Sequence, residues 1–246
     1  MGERAGPGRD TAIAGDSFAP AMLCAWFDLA PADRQEVCEW HNREHLPERL
    51  AVPGFRCGRR FAALNGSPEY LIVYDVATVA TLSSPDYLSR LNAPTAWTRK
   101  SLGRFRNSIR VAARLHLSRG VGLGGCVLSL RLGATDTDRL RSSLPDALAR
   151  IAELPGVVAV RLAKCDVSLT ALPTEEHRQV QGGVAAVEWI VLVEAISPGQ
   201  LREIQARYLS VDGLRAHGAA DPVLHGIYQL QACCLPQYRA ASAGTQ

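Results

Sequence analysis

The chain of 246 residues lacks the features that mark several classes of protein. Its longest apolar stretch falls far short of the roughly 18 residues needed to cross a bilayer, so the sequence predicts no membrane partner. No block of lysine and arginine is present: 27 basic side chains are spread along the chain beside 24 acidic ones, which argues against nucleic-acid binding. With 47% apolar and 21% charged residues, the composition instead indicates an ordinary globular protein.

Paired cysteine motifs are also missing. The seven cysteines are an odd number at irregular spacing, without a CxxC pair, and most lie within apolar strand or helix patterns. This usage is typical of reduced, buried thiols in a cytoplasmic protein, and no metal cluster follows from it. The adjacent Cys233 and Cys234 could be redox-active, but two small residues at the end of a strand are the favoured interpretation.

The ends of the chain differ in composition from its body. Residues 1–19 are rich in Gly, Arg, Asp and Ala without the apolar core of a signal peptide, and the segment 237–246 ends in small or polar residues from 240 onward. We expect both to be flexible tails. Between them we expect two repeats, 20–118 and 126–236, joined by a glycine-rich connector at 119–125.

Both repeats show the element order of a ferredoxin-like βαββαβ unit. Apolar periodicity changes from strand to helix and back in each half, and the Val-Pro-Gly turn at 52–54 recurs as Leu-Pro-Gly at 154–156. The predicted strands are 22–29, 56–64, 70–76 and 105–117 in the first half, and 126–132, 157–165, 184–194 and 227–234 in the second.

Such a unit packs two helices on one face of an antiparallel sheet and leaves the other face apolar, so two sheets can cover each other. We therefore predict an α+β fold, in which tandem ferredoxin-like repeats form an intramolecular α/β barrel. A ligand cleft would lie between a sheet and its own helices. The sequence leaves open whether the chain also forms a homodimer.

The first predicted helix carries ionisable side chains on the face that should meet the sheet. At 100° per residue, Trp40, His41, Glu44 and Glu48 fall in one sector, and His45 lies at its edge. Because burying unpaired polar groups costs a few kcal/mol, these groups either satisfy one another at the helix end or line a cavity.

This helix and the segments after it resemble the EthD-like branch of the dimeric α/β-barrel proteins. The resemblance covers about residues 20–118, whereas the second half shares only the element order. Its motifs are Trp-His-x-x-Glu-His-x-Pro at 40–47, Pro-Gly at 53–54, Arg-Arg-Phe at 59–61, Tyr-Leu-x-Val-Tyr at 70–74, Ser-Pro-x-Tyr at 84–87 and Asn-Ala-Pro-Thr-x-Trp at 92–97.

The resemblance implies a site in the first half. In that family the histidine of the Glu-His pair points into the cleft, which implies a functional role for His45, while the helical wheel slightly favours His41. We retain both as candidate bases, with Glu44 as the orienting partner and Arg60 or a tyrosine as the group that holds an oxyanion. The aromatic residues that could bind substrate, and that could equally be plain core, are Trp26, Trp40, Tyr70, Tyr74, Tyr87 and Trp97.

The resemblance also implies a chemistry. The expected substrate is a small apolar or aromatic, often polyketide-like, molecule, and the expected reaction is cofactor-independent acid–base catalysis of the lyase, isomerase or oxygenase type. Some related barrels bind haem, but we expect no cofactor here. The alternative is a barrel that binds a small ligand, or serves a structural role, without catalysis.

Two further patterns are less favoured. Residues 41–45 match the H-x-x-E-H zinc motif, but Pro47 follows closely and no second helix supplies a third ligand, so we expect no metal. In the second half, a site around His217, Asp221 and His225 is conceivable, although no helical or strand spacing joins these three residues. That half is therefore expected to be structural.

Overall fold

The computed structural model of the chain describes residues 20–120, 122–180 and 187–236. Both predicted tails, 1–19 and 237–246, lie outside the described residues, as does Val121 in the predicted connector. No helix in the described ranges is long and apolar enough to cross a membrane.

Eight antiparallel strands close into one barrel, which confirms the predicted fold class. Around the barrel the order is β4-β1-β3-β2 followed by β8-β5-β7-β6, so the two halves repeat the same ferredoxin-like arrangement. The seams between the halves are the β2–β8 and β4–β6 pairs. The strands are β1 (Ala21–Asp28), β2 (Phe55–Gly66), β3 (Tyr70–Val76), β4 (Arg106–Arg119), β5 (Cys126–Ala134), β6 (Val157–Cys165), β7 (Trp189–Ala195) and β8 (Ala219–Cys234).

The helices cover the outside of the barrel. They are α1 (Arg34–Trp40), α2 (Leu46–Leu50), α3 (Pro85–Asn92), α4 (Ala96–Leu102), α5 (Thr137–Ala152), α6 (Val167–Thr170), α7 (Glu175–Gln179), α8 (Pro198–Tyr208) and α9 (Val211–Ala216). Local sequence explains several starts: the Ser84 and Ser197 hydroxyls accept a backbone N–H of the first turn of α3 and α8, and a proline follows each serine.

Apolar side chains form three clusters on the two surfaces of the sheet. One fills the barrel interior and includes Met22, Cys24 and Trp26 of β1. The other two lie between the outer surface of the sheet and the helices, one in each half. Because side chains alternate along a strand, Leu23 and Phe27 face the helices of the first half while Trp26 faces the interior.

A buried ionic network connects four strands inside the barrel. Arg59 on β2 donates to Glu194 on β7 at 2.7 Å and to Asp75 on β3 at 3.0 Å, and Arg161 on β6 donates to Glu194 at 2.5 Å. The side chains of Arg59 and Glu194 are 0% and 1% exposed, so both charges are tolerated only because of their partners in this network.

Replacing Glu194 by alanine should destabilise the fold strongly. The substitution leaves the buried Arg59 guanidinium without its closest counter-charge, which should lower the free energy of unfolding by about 3–5 kcal/mol. Urea denaturation followed by circular dichroism measures the loss. The matched control is Glu203→Ala, because the Glu203–Arg207 pair is 61% and 66% exposed and its loss should cost at most about 1 kcal/mol. Equal small losses in both variants would contradict this interpretation of the network.

Candidate functional site

A cavity of about 380 Å³ lies between the outer surface of the first-half sheet and its helices, where the cleft was expected. Its walls are mostly apolar and come from β1, β3, β4 and the helices around them. The segment between β6 and β7 contributes a further wall through Thr170, Thr174, Glu176 and His177. The second half therefore does more than support the barrel, because it encloses the cavity of the first half.

The helix beside the cavity contains a π turn. Between α1 and α2, residues His41–His45 form this turn, and the Leu46 N–H donates to the carbonyl of His41, five residues earlier. Pro47 lacks the N–H that an α-helix would bond to the carbonyl of Arg43, which favours such a rearrangement. A π turn widens the helix locally, and both His41 and His45 become buried, at 1% and 8% exposure.

His45 is the imidazole that lines the cavity. Its ring packs against that of Trp40, with 4.4 Å between centroids. The Nδ1 atom is enclosed and has no hydrogen-bond partner, whereas Nε2 is not enclosed and accepts no bond from the described residues. Burial lowers the pKa of His45 well below its ordinary value, and the positive charge of Arg49 lowers it further. His45 is therefore a neutral imidazole near neutral pH, with one nitrogen available to the cavity.

His41 lies one turn earlier and does not line the cavity. Its Nδ1 is 3.1 Å from Nη1 of Arg60, and its Nε2 is enclosed without a partner. Burial lowers the pKa of His41 well below its ordinary value, assisted by the charges of Arg60 and Arg49. Of the two candidate imidazoles, the structure therefore brings only His45 to the cavity.

Glu44 does not orient either histidine, contrary to the sequence-based expectation. Its carboxylate accepts hydrogen bonds from the hydroxyls of Thr95, at 2.5 Å, and Thr98, at 2.9 Å, at the start of α4. The Thr98 hydroxyl in turn accepts from Nε1 of Trp40, at 3.1 Å. Glu44 and Trp40 thus fix the first helix to α4, and neither lines the cavity.

The position of Arg60 also differs from the expected one. Its guanidinium donates to the carbonyl of Cys38, at 3.2 Å, to Oδ1 of Asn42, at 2.9 Å, and to Oε1 of Gln231, at 3.2 Å. These bonds, with the contact to His41, use Arg60 to attach the first helix to β2 and β8. The side chain is absent from the cavity wall, so it is not placed to hold a substrate oxygen.

The six aromatic candidates separate into three groups. Tyr74 and Tyr87 line the cavity, as the substrate-binding prediction requires. Tyr70, Trp40 and Trp97 belong to the apolar cluster beneath the helices. Trp26 lies inside the barrel, because the alternation of β1 turns its side chain away from the cleft.

A buried ion pair at the cavity was not predicted from the sequence. Arg49, on the same helix as His45, donates through Nη2 to the carboxylate of Glu176 on α7, and these residues are 1% and 8% exposed. Burial opposes the charge of Arg49, but Glu176, Tyr87 and Glu48 more than offset it, so the pKa of Arg49 lies above its ordinary value. The sequence signal was only the length of the polar loop that contains Glu176, since long loops often carry function.

One group of potential metal ligands adjoins this pair. A nitrogen of His45 and carboxylate oxygens of Glu48 and Glu176 lie within 4.8 Å of one another. This set differs from the H-x-x-E-H pattern, because it includes neither His41 nor Glu44. The guanidinium of Arg49 already bonds to Glu176 and lies 3.9 Å from Glu48, so it supplies the positive charge that a cation would bring.

Comparison with known proteins adds information at the level of the fold. The sequence matches no known family profile and no curated protein. In structure, the chain is similar to an anthrone oxidase-like protein, with a TM-score of 0.61, 13% identity and coverage of 93% of this chain and 98% of that one. It is also similar to a putative monooxygenase from Lactobacillus acidophilus NCFM, with a TM-score of 0.53, 10% identity and coverage of 89% and 97%.

A heme-binding protein from Thermus thermophilus is a third structural neighbour, with a TM-score of 0.51, 13% identity and coverage of 87% of this chain and 92% of that one. At such identities these likenesses show the fold alone. They agree with a ferredoxin-like α/β barrel and do not single out the EthD-like branch.

The buried imidazole of His45 should make stability depend on pH. Its pKa in the folded protein lies well below the ordinary value of 6.5, so below that pH the unfolded chain binds more protons. The contribution of His45 to the free energy of unfolding is therefore fully present above about pH 6.5. It declines as the pH falls, by at most about 1.4 kcal/mol per pH unit for one histidine. His45→Gln should therefore lose less stability than the parent protein between about pH 6.5 and about pH 5.5.

Urea denaturation at these two pH values measures the difference. His225→Gln serves as the control because His225 is exposed, and it should retain the pH dependence of the parent. If His45→Gln kept the full dependence, the imidazole of His45 would not be held neutral by the fold.

Proposed function

We propose that the cavity is the active site of a cofactor-independent acid–base enzyme that acts on a small aromatic or polyketide-like molecule. The observation that carries this proposal is the position of His45, a buried and neutral imidazole on the wall of a mostly apolar cavity. A volume of about 380 Å³ falls within the range of roughly 300–1,000 Å³ that is usual for small-molecule sites. We further propose that the first repeat belongs to the EthD-like branch, on the strength of the motif at 40–47.

His45 would act as the general base through Nε2. A neutral imidazole can accept a proton from a carbon next to a carbonyl or from a phenol. The imidazolium that forms would be unfavourable in a buried site, but the carboxylate of Glu48 lies within 4.8 Å of a ring nitrogen and would stabilise it. We assign the carboxylate of Glu176 a smaller part in this, because it already bonds to Arg49.

Oxygenation is the reaction class that we favour for this base. Removal of a proton from an anthrone-like methylene gives an enolate, which can reduce O₂ and form a carbon–oxygen bond; loss of water from the hydroperoxide then leaves a ketone. In sum, anthrone and O₂ give anthraquinone and water. The neighbours described as anthrone oxidase-like and as a putative monooxygenase agree with this choice. The same base without O₂ would support isomerisation or elimination.

Haem binding is the second candidate, favoured by one neighbour and one residue. A heme-binding protein shares the fold, and haem iron requires an axial ligand such as a neutral histidine. His45 meets that requirement, because its pKa is lowered and it lines an apolar cavity. Haem would supply iron redox chemistry there, and His45 would be the residue that holds it.

Activity measurements on His45 and His41 variants test the proposed function. With anthrone as the probe, O₂ consumption and anthraquinone absorbance should show turnover by the parent protein. His45→Gln should lower kcat by about 10² or more, since general acid–base catalysis contributes that much. His41→Gln is the matched control, because His41 lies outside the cavity wall, and its kcat should stay within about fivefold of the parent.

The absorption spectrum of the purified protein separates the two candidates. A Soret band lost in His45→Gln would favour haem, whereas turnover by protein without such a band supports the cofactor-independent reaction. Equal activity of the two histidine variants would contradict a catalytic role for His45. Binding of aromatic molecules without any turnover would instead indicate a ligand-binding protein.

A further inference from the structure

Two arginines line the cavity, and they differ in how their charge is balanced. Arg49 is bonded to Glu176. Arg110, on β4, also lines the cavity, but among the described residues no carboxylate lies within ion-pairing distance of its guanidinium. Glu176 feels the charge of Arg110 only at longer range. The bond that Arg110 does make is from Nη2 to the hydroxyl of Tyr87, at 3.2 Å, so this half-buried cation on an apolar wall has no anionic partner within the described part of the chain.

A guanidinium without a counter-charge on a half-buried apolar wall lowers the stability of the fold when no ligand is bound. Moving a charge out of water is unfavourable unless a counter-charge and hydrogen bonds replace the lost hydration. Inside the barrel, Arg59 and Arg161 obtain their counter-charge from Glu194, whereas the buried Arg131 donates to the carbonyl of Ser67 and has no carboxylate partner among the described residues. An anionic ligand in the cavity would provide for Arg110 what Glu194 provides for those two.

The surroundings of Arg110 hold its guanidinium at the cavity wall. Tyr87 is 1% exposed, and its ring packs against that of Phe55 with 5.2 Å between centroids, so the phenol is held in place. Since the Tyr87 oxygen accepts from Arg110, its own proton is free to be donated to a ligand. Ser108 lines the cavity from the same face of β4, two residues before Arg110.

We propose that Arg110, positioned by Tyr87, binds an acidic oxygen of the ligand, so that the cavity selects aromatic molecules that carry a carboxylate or an ionised phenol. The planar fork of a guanidinium matches a carboxylate with two parallel hydrogen bonds. This inference rests on the proposed function for the aromatic nature of the substrate. It gives Arg110 the oxyanion-binding role that the sequence had suggested for Arg60.

A pair of matched probes tests the inference without any turnover. The compounds are 2-naphthoate and 2-naphthalenemethanol, which share the aromatic body and differ in the charged group. Isothermal titration calorimetry should show that the parent protein binds the acid about tenfold or more tightly than the alcohol, the gain typical of a hydrogen bond to a charged group.

Arg110→Gln should remove this preference. Its affinity for 2-naphthoate should fall about tenfold or more, while affinity for the alcohol should change less than about threefold. Arg106→Gln is the control, because it removes the same charge from the same strand at an exposed position outside the cavity wall. Tyr87→Phe removes the hydroxyl that holds the Arg110 guanidinium in position, so it should weaken binding of 2-naphthoate several-fold. Circular dichroism and thermal melting check that each variant is folded.

The outcomes distinguish this inference from the proposed function. Equal binding of acid and alcohol by the parent, or unchanged binding of the acid by Arg110→Gln, would overturn the role of Arg110 and leave the aromatic site standing. If neither probe bound, the aromatic site itself would fail, and the role of Arg110 with it.

Discussion

The buried ion pair between Arg49 and Glu176 is the interaction on which the site depends. It joins the helix that carries His45 to α7, and these elements belong to different halves of the chain. Because breaking a buried pair leaves an uncompensated charge, separating α7 from the helix is strongly unfavourable. The pair therefore holds the segment between β6 and β7, which belongs to the second half, in place as a wall of the cavity. It also places a positive charge near His45, which helps to keep that imidazole neutral.

The electrostatics of the site depend on burial and on the different partners of three arginines. Arg49 is neutralised by Glu176, Arg60 is used to attach the first helix to β2 and β8, and Arg110 faces the cavity with a phenol as its partner. The partner of each guanidinium therefore determines whether its charge is neutralised, used to hold the first helix or available to a ligand. The arrangement leaves a proton acceptor and a cation on the walls of one apolar space, which suits a substrate that becomes, or already is, an anion.

The barrel could be predicted from the sequence because its signals are local and repeated: strand periodicity, turn residues and the same element order twice. The motif at 40–47 likewise marked the helix from which His45 lines the cavity. The sequence could not decide between His41 and His45, because the π turn changes the angle between successive side chains and the regular helical wheel no longer applies. Glu176 and Arg110 were missed for another reason. They reach the cavity only through tertiary contacts: the length of the polar loop indicates a region and not Glu176 itself, and the alternation of β4 does not distinguish Arg110.

The two seams, β2 with β8 and β4 with β6, close the barrel within a single polypeptide. Were the barrel assembled from two identical copies of one repeat, symmetry would place every side chain in both halves, so a histidine in one cleft would recur in the other. Covalent fusion removes that constraint. One half can then carry His45 and Arg110, while the other contributes Glu176 and a further wall to the same cavity.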